Sequence, residues 1–394
     1  MKITAQGLLD DYRRIDAMMR EKGVFVEEKT QKTYYTGYAY KTLYDWDQYF
    51  ESLVELYLGW DTTYVKNGVE IFLDYQKENG HIQRSSQGDE AQLSEHVKPF
   101  LAQISLLVYR YDKDLSFLTD EYYERMKKYL LYWLNDRDEN QNRLSVWDSA
   151  PHTGMDNQHE RAGWWYDCFC EGVDLNAFLV RECKAFAKIA ALKGKEEDEE
   201  AFLAHAQAVA DAMQRFMWNE EDGIFYDVNA HTGEQIKVKH LGAFAAMWAG
   251  VATCEQASRM VSEHLLNPAE FYRGFLFPAL AASEPGYSEA YLPGDLGCSW
   301  RAQTWIPTNY YVFQSLRKYG YFDLASHLAS ETYRHVKKIG DREYYNTESD
   351  TGAGLDPFWG WSLLAYFMPL EDELGYDPTD LDAAFGDLAA ITVL

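Results

Sequence analysis

Apolar side chains recur along most of this chain with the period of an amphipathic α-helix. Between residues 120 and 135, for example, Tyr122, Met126, Tyr129 and Trp133 fall on one helical face. A tight hairpin is predicted at residues 221–227. The helical period predicts about eleven or twelve helices, at residues 5–22, 46–58, 62–78, 96–111, 120–135, 172–193, 198–218, 239–249, 253–265, 304–319, 321–338 and 358–369.

The predicted helices follow one another without a Pro/Gly/Ser-rich linker, a charge block or a low-complexity run. Short turns alternate with long aromatic loops, which is the pattern of paired helices. Such pairs close most economically into a double ring, so the sequence favours an all-α fold. We predict an (α/α)6 toroid, with the long loops gathered at one end as an active-site cleft. It would be a single domain over residues 1–394, with a short N-terminal extension of about residues 1–33.

Composition adds a candidate ligand class to this picture. The 394 residues include 12 Trp and 30 Tyr, and their polar tips need hydrogen-bonding partners. A cleft that both stacks on a sugar and hydrogen-bonds to it would use them; the alternative is that they only pack large helices together. The formal net charge of −26 argues against nucleic acid and anionic membrane as partners, because both require a basic surface.

Cysteine usage and the N-terminus bear on the cellular compartment. The five cysteines are an odd number without the spacing of a disulfide framework or a zinc site, which favours reduced thiols. Residues 1–6 lack the apolar core of a signal peptide, and no apolar run approaches the length of a membrane span. We therefore expect a cytoplasmic protein, and the sequence leaves its oligomeric state open.

The first candidate site is the turn at residues 147–157, between two long helical patterns. Pro151 fixes φ and Gly154 permits a positive φ, so the segment forms a turn. This turn presents Asp148 and Asp156 among aromatic residues, where glycosyl or metal chemistry could take place. From the residues alone the two aspartates are equal candidates.

Two further stretches combine aromatic and polar side chains. Residues 43–50 place Asp45 and Asp47 among Tyr and Trp at a predicted helix start. These acids could bind sugar hydroxyls, or one of them could cap the helix. Residues 297–310 place an arginine between two tryptophans, which would make a wall for a ring-shaped ligand.

A fourth stretch, residues 342–361, contributes two more carboxylates, Glu343 and Glu348. It also contains several glycines, which allow a backbone to approach a ligand closely. The alternative for Glu348 is a solvated loop charge, and the alternative for Asp148 is a carboxylate that caps its turn.

These stretches resemble the clan that joins the trehalases to glycoside hydrolase family 63, which includes glucosylglycerate and mannosylglycerate hydrolases. Residues 44–49 are similar to the trehalase-type signature Tyr-x-Trp-Asp-x-Tyr, and residues 154–157 to the Gly-Met/Trp-Asp segment of the general acid. Residues 300–310 resemble the Trp-Arg-Gly-Pro-x-Trp-Ile-Pro-x-Asn-Tyr block, and residues 343–346 the Glu-x-Tyr-Asp/Asn segment of the general base. The resemblance covers roughly residues 34–365, with its motifs in the family's order.

The resemblance implies an inverting glycoside hydrolase in which Asp156 is the general acid and Glu343 the general base. The two carboxyl groups would then lie roughly 6.5–9.5 Å apart, leaving room for the attacking water. We expect desolvation by Trp147, Trp164 and Trp165 to raise the pKa of Asp156, while Glu343 stays ionised. This chemistry requires neither a metal nor an organic cofactor.

The resemblance also implies residues that contact the substrate: Tyr44, Trp46, Asp47, Gln103, Gly154, Trp165, Trp300, Arg301, Trp305 and Trp359. For some positions a structural role is the alternative. Gln103 could be a buried structural amide, and Trp359 could be a core residue. Asp174 lies in a segment that also resembles these enzymes, but it could simply be a helix N-cap.

The implied substrate is a small α-linked glucoside or mannoside, such as a disaccharide or a glycosylglycerate. Of the two, an α-glucoside is the first choice, which would make the enzyme an α-glucosidase. Residues 152–153, 158–159 and 302–303 depart from the family pattern around the substrate, so the glycone and aglycone stay open. A non-catalytic sugar-binding toroid and a glycoside phosphorylase are alternatives. A further alternative is a sugar 2-epimerase on the same fold, whose bases would be drawn from His81, His96, His152, His159 and His240.

Overall fold

A computed structural model of the chain describes residues 3–88, 93–163, 168–274, 276–291, 299–382 and 388–394. Helices make up most of the regular structure in these residues, as predicted. In chain order the α-helices are α1 (Ala5–Lys22), α2 (Asp45–Tyr57), α3 (Thr63–Asp74), α4 (Leu101–Asp112), α5 (Asp120–Leu131), α6 (His159–Ala162), α7 (Val173–Leu192), α8 (Glu196–Phe216), α9 (Ala245–Trp248), α10 (Cys254–Arg259), α11 (Ile306–Lys318), α12 (Phe322–Ile339) and α13 (Met368–Leu374). In this part of the chain, no helix is both long and apolar enough to span a lipid bilayer.

Shorter helical turns complete these elements. Two π-helical segments continue α5 and α10, at Tyr132–Asp136 and Met260–Leu265. The 3-10 segments are Pro151–Thr153, Leu241–Phe244, Trp361–Tyr366 and Leu388–Ile391.

The strands within the described residues are short and form small antiparallel sheets. They are β1 (Val24–Val26), β2 (Thr33–Tyr35), β3 (Cys170–Glu171), β4 (Trp218–Asn219), β5 (Ile224–Phe225), β6 (Asp227–Asn229), β7 (Gln235–Ile236), β8 (Gln303–Thr304), β9 (Tyr344–Asn346) and β10 (Thr351–Ala353). The sheet orders are β1-β2, β3-β6-β7, β4-β5 and β10-β9-β8. The β4-β5 pair confirms the hairpin that the sequence predicts near Gly223.

Periodicity predicts helices α1, α2, α7, α8, α11 and α12 to within two residues. It is wrong at the start of α4 and in the segment before α13. Residues 358–369 are not one helix, because a 3-10 segment precedes α13. Gly360 is packed so closely that an added Cβ would lie 2.7 Å from Glu51 Oε1. Residues 96–100 do not belong to α4, since His96 forms an antiparallel bridge with Gln83.

Two compact units divide the chain. Unit 1 comprises Met1–Tyr132, Arg181–Leu203 and Phe358–Leu394, and unit 2 comprises Trp133–Val180 and Ala204–Pro357. Two of the four boundaries between them fall within α7 and α8, one falls in the π-helical segment Tyr132–Asp136, and one lies between Pro357 and Phe358. The expectation of a single domain over residues 1–394 stays a prediction.

Unit 1 is built around α2, in which every residue is buried. Aromatic side chains pack beside it, with the ring of Phe367 stacked between Tyr12 at 4.8 Å and Tyr57 at 5.2 Å. The Tyr57 hydroxyl donates to Glu371 Oε1 at 2.7 Å, which gives this buried phenol the partner that it needs.

Three acids, Asp47, Glu51 and Glu55, lie one turn apart on the buried surface of α2. Burial, together with the charge of Asp45, raises the pKa of Asp47 to about 7. Burial also raises the pKa of Glu51 and of Glu55 well above the ordinary value. One carboxyl oxygen of each glutamate has no hydrogen-bond partner among the described residues. The folded state therefore favours the protonated form of these acids.

We expect Glu55→Gln to stabilise the protein at pH 8 by about 1–3 kcal/mol and to change little at pH 4. Because the pKa of Glu55 is raised in the folded state, protonated Glu55 adds to the free energy of unfolding. This stabilisation is complete below the unfolded pKa of about 4.3 and is lost as pH rises through the folded pKa. Glutamine has nearly the same shape and cannot ionise. Urea unfolding at both pH values measures the difference, with the exposed Glu200→Gln as control. An equal effect at both pH values would contradict this explanation.

Unit 2 contains the remaining sheets and the helices α11 and α12, which pack together. Thr304 of β8 pairs with Tyr345 of β9, and Tyr345 also pairs with Gly352 of β10. Pro307 occupies the first turn of α11, where its missing N–H costs no helical hydrogen bond. This arrangement places the residues before β9 beside those that lead into α11.

Candidate active site

The loop that carries Asp156 is shaped by its own backbone. A single 3-10 turn beginning at Pro151 ends at Gly154, whose φ of 80° and ψ of −10° are left-handed. The Gly154 N–H donates to the Pro151 carbonyl at 3.1 Å, and the Met155 N–H donates to the Thr153 hydroxyl at 3.0 Å. Asp156 follows directly and is partly exposed. Glycine at position 154 therefore serves to turn the chain into Asp156.

Asn157 connects this loop to the segment that carries Trp300 and Arg301. Its Oδ1 accepts the Trp300 N–H at 2.7 Å, and its Nδ2 donates to Ser299 Oγ at 3.2 Å. Its backbone carbonyl accepts a hydrogen bond from Arg301 Nε at 3.2 Å. The structure thus brings two of the candidate stretches together within unit 2, with Asp156 next to the connection.

Gln158, one of the departures from the family pattern, supports the same connection. Its buried Nε2 donates to the carbonyl oxygens of Trp300, at 2.5 Å, and Ala279, at 3.1 Å. Because both bonds come from the end of a long side chain, a shorter residue at position 158 could not make the same pair.

Glu343 lies immediately before β9 and is held by the β9-β10 hairpin. Its N–H donates to the Leu355 carbonyl at 3.3 Å, and its Oε2 accepts the Leu355 N–H at 3.0 Å. Burial raises the pKa of Glu343, the hydrogen bond from Leu355 opposes the rise, and the charge of Asp156 adds to it. The two carboxyl groups, far apart in sequence, therefore influence each other's ionisation.

The two tryptophans next to Arg301 stack on each other. The rings of Trp300 and Trp305 are 3.8 Å apart and 3° from parallel, and Tyr344 stacks on Trp305 at 4.4 Å. Trp305 Nε1 donates to the Ser299 carbonyl at 2.8 Å, and the Tyr344 hydroxyl is hydrogen-bonded to that of Tyr291. Trp305 is thus buried and stacked against two aromatic rings, so it supports the site through packing. Sugar contacts by Trp300, Arg301 and Trp305 stay a prediction.

Two other candidate carboxylates are engaged in ion pairs. Asp148 lies 2.9 Å from Arg137 Nε and 3.4 Å from His152 Nδ1. Glu348 is exposed and accepts a hydrogen bond from Arg273 Nε at 2.8 Å, which lowers the pKa of Glu348. These contacts agree with the structural alternatives, a turn-shaping carboxylate and a solvated loop charge.

Unit 1 contains the candidates of the 43–50 stretch. Asp47 Oδ1 accepts a hydrogen bond from the Tyr38 hydroxyl at 2.8 Å. Asp45, rather than Asp47, pairs with Lys98, and its Oδ1 accepts the N–H of Trp46 at 2.7 Å. The N-cap residue of α2 is Tyr44, so neither aspartate is an N-cap.

The other unit 1 candidates are Tyr44, Gln103 and Trp359. Tyr44 is partly exposed at the start of α2. The Gln103 amide is fully used, since Arg181 Nε donates to its Oε1 and its Nε2 donates to Pro99, both at 2.9 Å. Trp359 is 9% exposed and donates its indole N–H to a backbone carbonyl at 3.1 Å. Gln103 therefore has the contacts of a structural amide, and substrate contacts by all three stay predictions.

Of the three tryptophans expected to desolvate Asp156, Trp147 lies in the described part of the chain. Trp147 is fully buried, and its Nε1 donates to Asp174 Oδ1 at 3.1 Å. Trp164 and the predicted substrate contact Trp165 lie outside the described residues. The expected rise in the pKa of Asp156 stays a prediction.

Sequence reasoning missed a buried charged cluster beside the Asp156 loop. Arg161 makes ion pairs with Asp174 at 2.8 Å and with Asp227 at 2.6 Å, and His240 lies 3.2 Å from Asp227. Asp174 is thus an ion-pair partner within the first turn of α7 and not its N-cap. No spacing links these residues, and isolated charges in a polar context look like surface residues, so only the structure reveals the cluster.

Comparison with known proteins adds to this geometry. The profile of the mannosylglycerate hydrolase MGH1-like glycoside hydrolase domain matches residues 40–362. The fold is shared with the family 63 mannosylglycerate hydrolase of Thermus thermophilus, crystallised with glucose, at 19% identity and a TM-score of 0.69 over 90% of this chain and 99% of that chain. It is also shared with the neutral trehalase of Saccharomyces cerevisiae, at 20% identity and a TM-score of 0.66 over 94% of this chain and 80% of that chain. The chain therefore belongs to the MGH1-like family of mannosylglycerate hydrolase-type glycoside hydrolases, and it is a glycoside hydrolase.

Proposed function

We propose that this enzyme is an inverting α-glycosidase in which Asp156 is the general acid and Glu343 is the general base. The observation that carries the proposal is a series of contacts that joins the two loops: Asn157 accepts the Trp300 N–H, Trp300 stacks on Trp305, and Trp305 stacks on Tyr344, the neighbour of Glu343. The two groups come from different loops of the same unit and match the acid and base motifs of the family. Acid and base positions that face each other across a glycosidic bond are what hydrolysis with inversion requires.

The environment of Glu343 suits a general base. Glu343 accepts a backbone N–H from Leu355, and its pKa is raised from the ordinary value. A base whose pKa lies closer to the working pH removes a proton from water more effectively.

We propose a small α-linked glucoside or mannoside as substrate, with an α-glucoside first. The Thermus thermophilus enzyme has been crystallised with glucose and, separately, with Tris and D-glycerate, which supports a small sugar ligand of this class. The fold shared with these enzymes supports the (α/α)6 arrangement. We further propose a cytoplasmic location, on the cysteine usage.

Hydrolysis of a substrate panel tests this function. The panel contains glucosylglycerate, mannosylglycerate, trehalose, kojibiose, nigerose and aryl α-glucosides, and the expected result is release of free hexose from at least one of them. Interconversion of a free sugar without cleavage would instead indicate an isomerase and would overturn the proposal, as would no reaction on any substrate.

Two of the five candidate histidines, His96 and His240, do not favour the isomerase. The ring nitrogens of His96 lie within hydrogen-bonding distance of backbone atoms of Ile82, at 3.0 Å, and Tyr129, at 3.2 Å. His240 is fully buried against Asp227. Neither imidazole is placed as an accessible base.

We expect Gly354→Ala to lower kcat at least 10-fold by displacing Glu343. Gly354 has a φ of +70°, and an added Cβ would lie 2.4 Å from Glu343 Oε2 and 2.7 Å from its Cβ. A base that moves by about 1 Å can cost on the order of 100-fold in rate. Gly233→Ala is the matched control, since its φ is +71° with nothing within 4 Å of an added Cβ. Steady-state kinetics on both variants measure the effect, and equal losses would show that backbone strain, not contact with Glu343, is responsible.

A further inference from the structure

The loop that carries Asp156 is closed at both ends on one buried carboxylate. At its start, Trp147 Nε1 donates to Asp174 Oδ1 at 3.1 Å. At its end, Arg161 Nη2 donates to the same oxygen at 2.9 Å, and Nη1 donates to Oδ2 at 2.8 Å. Asp174 thus fixes the two ends of the fifteen-residue segment 147–161 relative to each other. We call Trp147, Arg161, Asp174 and Asp227 the Asp174 clasp.

Arg161 is the central member of the Asp174 clasp, and its side chain is fully buried. Besides Asp174, it donates from Nε to Asp227 Oδ2 at 2.6 Å and from Nη2 to Asp227 Oδ1 at 3.2 Å. Burial opposes ionisation of Asp227, but Arg161 and His240 outweigh it and hold the pKa of Asp227 below its usual value. Two carboxylates around one planar guanidinium hold it in a single orientation.

The carboxylates are themselves attached to regular structure. Asp227 belongs to β6, and its Oδ1 also accepts the N–H of Val173, the first residue of α7. Asp174 lies in the first turn of the same helix. The clasp therefore connects the loop to a strand and to the start of a long helix, both of which can hold it still.

Close packing leaves the clasp little freedom. An added Cβ at Gly172 would lie 2.3 Å from Trp147 Nε1 and 2.5 Å from Asp174 Oδ1. At Gly242 it would lie 2.9 Å from Asp174 Oδ2. Both glycines allow the backbone to approach Asp174, which is the arrangement expected if its position must be fixed.

The connection to Asp156 runs through its neighbours. Arg161 Nη1 lies 3.8 Å from the Met155 sulfur, and the Arg161 N–H donates to the Gln158 carbonyl at 3.2 Å. Asp156 is adjacent to Met155 and is followed by Asn157, which is bonded to the Trp300 segment. Movement of Arg161 would therefore shift Met155, on one side of Asp156, while Asn157, on the other side, stays bonded to the Trp300 segment.

We propose that Arg161, held by Asp174 and Asp227, is a positioning residue that directs the carboxyl group of Asp156 toward the leaving-group oxygen. Arg161 does not touch the substrate in this proposal. It acts only on the orientation of the proton donor. The inference rests on the proposed function, because it needs Asp156 to be the general acid.

The test compares two substrates that differ in their need for an acid. The first is the alkyl α-glycoside that the wild-type enzyme cleaves best, and the second is the α-glycosyl fluoride of the same sugar, whose leaving group needs little protonation. In Arg161→Lys, which keeps the charge but cannot bridge both carboxylates, kcat should fall about 100-fold on the alkyl glycoside and less than about 3-fold on the fluoride. KM should change little on either substrate.

Glu270→Gln is the matched control for lost stability. It breaks another ion pair of unit 2, in which Lys239 and His264 contact Glu270. This variant should affect both substrates by the same factor. Equal losses on both substrates in Arg161→Lys, or no loss on either, would overturn the inference while leaving the proposed function intact.

Trp147→Phe covers the case in which Arg161→Lys does not fold. It removes only the indole N–H that reaches Asp174 and keeps most of the packing. A selective loss of about 5- to 10-fold on the alkyl glycoside would support the Asp174 clasp, and an equal loss on both substrates or none on either would overturn it. A wild-type enzyme that cleaves neither substrate would overturn the proposed function itself and this inference with it.

Discussion

Glu343→Gln is expected to lower kcat by about 1,000-fold while KM changes little. Glutamine keeps the shape of the side chain and can still accept the Leu355 N–H, but it cannot take a proton from water. Initial rates on the best substrate of the panel measure the loss. Glu348→Gln, which changes an exposed carboxylate close by in sequence, should stay within about 3-fold of the wild type because Glu348 lies outside the proposed catalytic pair.

Azide provides a positive test of the same role. It is already a strong nucleophile and needs no base, so it should restore turnover of an α-glycosyl fluoride by Glu343→Gln. The azide nitrogen bonds to the anomeric carbon as fluoride departs, and the product is the β-glycosyl azide. Wild-type rates in Glu343→Gln without azide would contradict the assignment of Glu343.

Asp156→Asn is expected to have an effect that depends on the leaving group. On an alkyl glycoside kcat/KM should fall about 1,000-fold, because the departing oxygen no longer receives a proton. On the α-glycosyl fluoride the loss should be less than about 10-fold. Asp148→Asn alters the contacts of Asp148 with Arg137 and His152 and should affect both substrates by the same factor. A loss in Asp156→Asn that is the same for both substrates would contradict the assignment of Asp156 as acid.

The pH profile gives a second test of Glu343. Glu343 must be ionised to act, so activity falls as pH drops through its pKa, and burial, which raises this pKa, places the acidic limb above that of an ordinary glutamate. Asparagine is neutral, like the protonated acid of the working enzyme, so Asp156→Asn should keep this limb close to that of the wild type. Rates of both enzymes on the fluoride measure the limb, and a limb at the pH of an ordinary glutamate would contradict this assignment.

The parts of the fold that the sequence predicts best are those decided locally. Helices α1 and α12 follow the apolar period over several turns, so their bounds can be read from the pattern. The segment Trp361–Tyr366 has the same apolar character, yet it forms a 3-10 helix, and Gly360 just before it is packed against Glu51. A contact between residues so distant in sequence leaves no trace in a periodic pattern.

Some residues of the candidate site can likewise be predicted from the sequence, and others cannot. Motif order singles out Asp156 and Glu343, whereas spacing alone leaves Asp156 and Asp148 equal. The ion pair of Asp148 with Arg137 then gives a physical reason for its lesser role. Arg161 could not be predicted, because its partners lie on distant elements and a buried arginine has the same sequence context as an exposed one.

The glycines of residues 342–361 are also only partly explained by the sequence. Their presence suggests close approach of the backbone to a ligand, but the structure places Gly354 against the side chain of Glu343. The sequence thus indicates that space is needed at this position, and only the fold identifies the group that fills it.

The anomeric configuration of the first product tests the central claim most directly. Proton NMR of an α-glycoside undergoing hydrolysis, recorded faster than mutarotation, follows the two anomers separately. Attack by a water molecule that Glu343 activates opposite the leaving group predicts that the β-anomer of the free sugar appears first. Initial formation of the α-anomer would contradict the roles proposed for Asp156 and Glu343.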